Sequence, residues 1–259
     1  MKYTDIEKIA NQYARTFDRY QKEVVEQLLS GKTYSLVEKR RILREIQAIL
    51  SELEEKSDIF IEKNVEKMYK TGVKDAVKIM TTIGVVSYIL NNRQNESITN
   101  LTEVSKVSMQ EAISGMYKSS SRILSKATEQ RLKGLLAEGR ISSDTYKQMV
   151  YTITQSLKDQ RVFILDSAGR KWDVENYAKM FVRTDSMKAY NTGISDEMLK
   201  EGEDLAYVTS YASCKCDICL AWENKVLSLS GKNKKYPSLD DAYADGLFHP
   251  NCKHRLRPL

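Results

Sequence analysis

The sequence predicts a mainly α-helical N-terminal part, a bundle or arm over residues 1–160, followed by a small α+β domain over residues 161–259 that carries a zinc-knuckle-like site. Three observations carry this expectation. The three prolines stand at 237, 250 and 258, so nothing in the first 236 residues is obliged to break a helix. Apolar residues in the first 160 positions recur at spacings of three and four, the period of a helix face. All four cysteines and both histidines fall between positions 214 and 254.

The elements follow in order. Ile6, Ala10, Tyr13, Phe17, Tyr20 and Val24 form one seam on a first helix, a stripe suited to docking against other helices. Gly31-Lys32-Thr33 reads as a turn. Ser35-Leu36-Val37-Glu38 reads as a capping box opening a second helix, whose apolar face runs through Ile42, Ile46, Ile49 or Leu50, and Leu53. Ser57-Asp58 reads as the cap of a third helix through Ile61, Val65, Met68, Val73 and Ala76 towards Leu90. The run from Asn91 to Asn95 reads as a polar loop. Helical spacing resumes from about Leu101 to Leu136, with a C-cap expected at Glu138-Gly139-Arg140 and a new cap at Ser142-Ser143-Asp144. That next helix has Tyr146, Met149, Val150, Ile153 and Leu157 on its apolar face. The tyrosines and methionines on these faces read as packing groups.

At residue 161 the pattern changes. Val162-Phe163-Ile164-Leu165 is a short β-type run, Asp166 to Gly169 a turn, and Arg170-Lys171-Trp172 the return. A helix is expected from Asp173, ended by Gly193, with a short helix at Met198-Leu199 and a strand at Leu205–Thr209 leading into the cysteines.

Composition bounds the function. Of 259 residues 41% are hydrophobic, enough to bury a core. The longest apolar run, residues 83–90, falls well short of the ~20 residues a membrane span needs, so no membrane role is expected. The N-terminus lacks a secretion signal, which implies synthesis in a cytosol-like compartment. The net charge is +6, yet residues 201–259 are balanced, so the excess belongs to the helical part. Between Lys118 and Arg161 basic residues outnumber acidic ones nine to four, and Lys126, Arg131 and Lys133 are the candidate contacts to DNA or to an acidic protein. The same charges would serve equally as a solvated helix face.

Cys216-x-x-Cys219 and His249-x-x-Cys252 are two chelating pairs, each able to grip a metal from a tight turn. Thiolate and imidazole donors suit tetrahedral Zn²⁺, and two such knuckles close a loop of about 30 residues. The expected ligands are Cys216, Cys219, His249 and Cys252, with Cys214 and His254 as alternates. Four such ligands leave no open position, so the site reads as structural. Residues 211–259 are short of large apolar side chains, and metal binding would substitute for a core. A Cys216–Cys219 or Cys216–Cys252 disulfide, or free buried thiols, are the alternatives; a reducing compartment disfavours the disulfides.

A histidine followed by Pro-Asn beside Cys-x-x-Cys also resembles zinc-stabilised nucleases of the His-Asn-His class. Those need a separate metal-binding histidine pair and a general base, whereas both histidines here lie inside the cysteine cluster. No Ser-His-Asp set and no phosphate-cradling loop can be assembled, so catalysis is not expected.

Several segments together carry a family resemblance: Ala168-Gly169-Arg170-Lys171-Trp172, Tyr177-Ala178-Lys179-Met180, Val182-Arg183-Thr184-Asp185 and Asn191-Thr192-Gly193. To these add Cys216 through Val226, and Gly246-Leu247-Phe248-His249-Pro250-Asn251-Cys252-Lys253-His254. They resemble the minor capsid, or head morphogenesis, proteins of tailed bacteriophages, the group that includes the Mu F-like minor head proteins. The resemblance is specific over residues 161–259 and only architectural before them. Lys-His follows the last cysteine where that group often has Arg-Cys, and Asn224 stands where glycine is common. The resemblance implies a structural component of the virion, present in the head near the portal vertex and made in the bacterial host cytoplasm. Its implied partners are the portal protein and other head proteins, and packaged double-stranded DNA is a further candidate. The implied task is to assist head assembly and genome packaging or delivery. The alternative class is a zinc-bearing nucleic-acid-binding or processing protein. In that case Arg170, Arg183 or Glu223 would carry activity, instead of serving with Trp172 as ion-pairing and packing residues.

Overall fold

The computed structural model describes residues 3–81, 90–137, 143–158, 162–166, 168–211 and 215–259. Four helices come first: α1 (Tyr3–Leu29), α2 (Leu36–Thr81), α3 (Asn92–Ala137) and α4 (Ser143–Lys158). A hairpin of β1 (Ile164–Leu165) and β2 (Lys171–Trp172) follows, then α5 (Val174–Lys200). The remainder is β3 (Leu205–Val208), α6 (Asp217–Trp222), β4 (Val226–Ser228), α7 (Leu239–Ala244) and β5 (Leu256–Pro258). The chain is thus mainly helical in its N-terminal part and α+β in its C-terminal part, as the sequence predicts. The expected caps at Glu138-Gly139-Arg140 and at Ser142 lie outside the described residues.

The expected apolar faces of α1 and α2 are buried. On α1, Ile6, Ala10, Tyr13, Phe17, Tyr20 and Val24 are all almost fully inaccessible, so the seam is covered by the chain itself and offers no open face to another protein. At the start of α2, Ser35 Oγ accepts the amide of Glu38, while the Glu38 carboxylate accepts the amides of Lys32, Thr33 and Tyr34. These bonds outweigh burial and hold the Glu38 carboxyl below its ordinary range.

Three expected breaks are absent. Ser57 does not cap a helix: its hydroxyl donates to Leu53 O inside one continuous α2. The polar run at 91–95 is not a loop but the start of α3, where Asn91 and Gln94 exchange amide and side-chain bonds of 2.9 and 3.0 Å. Gly193 lies inside α5, which runs through Met198-Leu199 without interruption.

The described residues form two compact units. One takes Tyr13–Asp58 and Val107–Ala178. Within it the β1–β2 hairpin is tied to α1 by a bond from Gln21 Nε2 to Val162 O, and the lack of a side chain at Gly115 admits the Leu165 backbone. The hairpin turn is organised by Asp166, which accepts the Trp172 indole N–H, the Arg170 amide and the Arg170 guanidinium. With the Trp172 bond first among the causes, the Asp166 carboxyl is held down to about 2. Arg170 and Trp172 therefore act as hairpin residues.

The other unit takes Met1–Gln12, Ile59–Lys106 and Lys179–Leu259. Its sheet has the order β4-β3-β5, all antiparallel, with Tyr207 opposite Val226 on one side and Arg257 on the other. Ala206, Val208, Leu227 and Leu256 of this sheet pack with Ile194 and Met198 of α5 and Ala76 and Met80 of α2. Polar rungs also tie α5 to its neighbours: Asn64 to Ser186, Gln94 to Glu197, and Ser105 to Asp185.

Candidate metal centre

The centre is built from two turns flanking the sheet. Cys216 is the N-cap of α6 in an extended conformation, and its thiol makes no capping bond. Cys219, one turn later, is fully buried and turns to the same side. The second turn explains why Pro-Asn follows His249. Cys252 N bonds to His249 O at 2.9 Å, with Pro250 and Asn251 between them and Asn251 at φ 65°. A type II turn takes Pro at its second position and a residue tolerant of positive φ at its third, so this tetrapeptide sets its two end residues side by side. Beyond Cys252 the chain extends, and His254 two residues on returns to the same side.

Two groups of donor atoms result, each with every atom within 4.8 Å of the others. Cys216, Cys219 and His249 form one; Cys219, Cys252 and His254, all buried, form the second. The Sγ atoms of Cys219 and Cys252 are 3.7 Å apart, and Cys252 Sγ lies 3.4 Å from His254 Nδ1. A tetrahedral ion with bonds of ~2.3 Å to sulfur and ~2.0–2.1 Å to nitrogen separates two sulfurs by ~3.8 Å and sulfur from nitrogen by ~3.5 Å. The measured spacings fit such an ion. They do not fit a disulfide between Cys219 and Cys252, whose sulfurs would stand ~2.05 Å apart.

Electrostatics favour the same reading. Burial pushes the Cys219 thiol well above its ordinary range, and the Cys252 and Cys216 sulfurs add to the shift. A cation would supply the charge that thiolates here lack. Each histidine has one ring nitrogen engaged elsewhere: His254 Nε2 meets Glu223 Oε1 at 2.8 Å, and His249 Nδ1 meets Pro250 O at 2.8 Å. Glu223 Oε1 also accepts the amide of Tyr211 at 2.8 Å. His254 is 1% exposed, and the Glu223 side chain that meets it is 16% exposed.

Of the residues named from sequence, Cys216, Cys219 and His249 are together, and Cys252 meets them through Cys219. His254 is in the buried group, and Cys214 lies outside the described residues. The cysteines are also less isolated than expected. Cys219 and Cys252 belong to a hydrophobic cluster with Trp222, Leu227, Leu239, Leu247 and Leu256, so an ion would complement a core and not replace one.

The side chains that orient the turns fall in segments that carry the family resemblance, although nothing local in the sequence marks that role. Asn191 of α5, 1% exposed, donates to His254 O at 3.4 Å and accepts from Leu256 N at 3.1 Å. Thr184 Oγ1 accepts the amide of Asn251. Arg183 pairs with Glu7 at 2.8 Å, an ion-pair role. The three basic candidates lie apart from this centre in sequence, on α3. Lys126 is exposed, Lys133 pairs with Glu129 at 2.7 Å, and Arg131 Nε is buried with no hydrogen-bond partner among the described residues.

Residues 36–259 match the model of a family described as phage minor capsid protein 2. The chain belongs to that family. The match begins far upstream of residue 161, so the helical part shares the relationship that the C-terminal segments alone displayed. A protein named structural protein, from Lactococcus phage LL-H, is 27% identical over 103 residues, which cover 37% of this chain and 28% of that protein. The chain thus spans a little over a quarter of that relative's length. No solved structure matches. Among the described residues no helix is long and apolar enough to cross a membrane.

Proposed function

We propose that this minor capsid protein is a structural component of a tailed-phage head, seated at the portal vertex beside the portal protein and other head proteins. There it assists head assembly and genome packaging or delivery. The observation that carries the reading is the family match over residues 36–259. In support, the Cys219, Cys252 and His254 part of the cluster is buried, and its thiol and imidazole donors suit a closed structural site. The ion it suits best is Zn²⁺, which takes mixed thiolate and imidazole donors without redox chemistry, and its role would be to fix the C-terminal sheet against α5.

The test is cross-linking mass spectrometry on purified heads and on tails separated from them. Cross-links from this chain to the portal protein are the expected result. Recovery of the chain with tails alone would overturn the assignment. Contact with packaged DNA is the least supported part, because Lys133 is already paired. Replacing Lys126, Arg131 and Lys133 with Gln should weaken binding to duplex DNA and flatten its salt dependence, and an unchanged salt slope would remove DNA from the list of partners.

A further inference from the structure

The cluster offers five described donors, Cys216, Cys219, Cys252, His249 and His254, to an ion that takes four. We propose that the ion is bound by His254 through Nδ1, that Glu223 sets this by holding Nε2, and that His249 is the donor the site can spare. The inference rests on the reading that the cluster holds a metal.

Three observations single out His254. Its Nδ1 stands 3.4 Å from Cys252 Sγ and the Cys219–Cys252 edge is 3.7 Å, both close to the edges of a tetrahedral thiolate-imidazole site. Its Nε2 lies 2.8 Å from Glu223 Oε1, so the carboxylate accepts the Nε2 proton and leaves the Nδ1 lone pair for an ion. Its ring is 1% exposed, and its backbone is clamped on the carbonyl side by Asn191. The ring is therefore held in one orientation, with Nδ1 towards Cys252 and Nε2 towards Glu223.

His249 lacks this support. It is half-buried, and among the described residues the hydrogen bond of its Nδ1 is to the carbonyl of its own neighbour, Pro250. A local contact of that kind does not tie the ring to another element. Cys216, which is grouped with Cys219, would be the third thiolate, and it brings the donors to four without His249.

Glu223 is thus a positioning residue for the ion. It is well placed for this, because it follows α6 directly: its amide bonds to Cys219 O, and its carboxylate also holds the Tyr211 amide. The Cys216–Cys219 turn and the histidine's support are therefore one structural piece.

The experiment uses the full chain loaded with Co²⁺ as a spectroscopic probe, with Zn²⁺ affinity taken by competition. Wild type should show tetrahedral ligand-field bands. His254→Ala should weaken Zn²⁺ more than about 100-fold, Glu223→Gln about 10–100-fold, and His249→Ala less than about 3-fold. His254→Cys keeps a ligand at the position and should raise the sulfur-to-cobalt charge-transfer intensity by one thiolate, a change that a merely structural histidine would not produce. In the His254→Cys background, Glu223→Gln should cost little, because no imidazole remains to be held. A charge-transfer band unchanged by His254→Cys, or a larger loss from His249→Ala than from His254→Ala, would overturn the inference while leaving the metal reading intact. Failure of wild type to take up Co²⁺ or Zn²⁺ would overturn both.

Discussion

Gly72 of α2 and Gly193 of α5 face each other's helix reciprocally. A Cβ at Gly72 would stand 2.1 Å from Tyr190 O, and a Cβ at Gly193 would stand 2.2 Å from Tyr69 O. The same two tyrosines bond across the crossing, Tyr69 to Asp196 at 2.6 Å and Tyr190 to Asp75 at 2.7 Å. Glycine is needed here for close approach, since the obstructing atoms are backbone and cannot swing aside. Gly193→Ala gains roughly 1 kcal/mol of helix propensity but overpacks the crossing. The expected outcome is a net loss of about 1–3 kcal/mol in urea unfolding, and a variant as stable as wild type would show the crossing to be looser than described.

Asp185 makes stability depend on pH. It is almost fully buried, and burial raises its carboxyl to about 6 despite the bond from Ser105 and the charge of Lys188. The folded value is above the unfolded one, near 3.8, so the native state holds a proton that the unfolded state releases between these pH values. The contribution is fully present below about pH 3.8 and is lost as pH rises through about 6, an effect on the order of 3 kcal/mol. Asp185→Asn removes the titrating group. Unfolding free energies of wild type and variant, measured from pH 4 to 7.5, should therefore diverge in the variant's favour as pH rises, and parallel profiles would contradict the assignment.

How much of this was legible depended on whether a signal was local. The apolar stripes of α1 and α2 and the Cys/His pairs are read from spacing alone, because helix period and chelate spacing are properties of a few consecutive residues. Ser57, the Asn91–Asn95 run and Gly193 misled because cap and breaker residues are ambiguous without tertiary context. Ser57 satisfies itself on Leu53 O, Asn91 caps a helix that starts earlier than expected, and Gly193 serves a helix crossing. The strands β4 and β5, of three residues each, are too short for an alternating pattern to register. Helix α7 did carry a sign, the capping box from Ser238 to Asp241. Glu223 and Asn191 act through partners 31 and 63 residues away, a relation that no local pattern encodes.

Removal of the proposed ion should act locally. Cys219 and Cys252 sit within a hydrophobic cluster that also includes Ile194, Met198 and Val208, so apolar packing remains when the ligands are empty. Stripping with a strong chelator is expected to lower the melting temperature by roughly 5 °C or more. Hydrogen exchange should quicken in residues 215–225 and 249–256 while residues 36–58 keep their protection. Loss of protection throughout the chain would mean that the ion holds the whole fold, and no loss anywhere would mean that it holds none of it.

Asn191 provides a test of the support around the centre that leaves every donor atom in place. Its amide meets the carbonyl of His254 and the amide of Leu256 from within a buried helix face, so both backbone groups depend on it where water cannot substitute. Asn191→Ala strands these two groups at an expected cost of about 2–4 kcal/mol. It also frees the backbone that carries His254, so metal affinity should fall together with stability. Asn191→Asp keeps the acceptor for Leu256 N but has no N–H to offer His254 O, and it brings a buried charge. It should therefore be at least as damaging as Asn191→Ala near neutral pH and less so in acid, where a protonated carboxyl regains a donor. Paired melting and Zn²⁺-competition measurements at pH 5 and pH 7.5 would read both effects. Stability that falls with metal affinity untouched would confine Asn191 to the sheet.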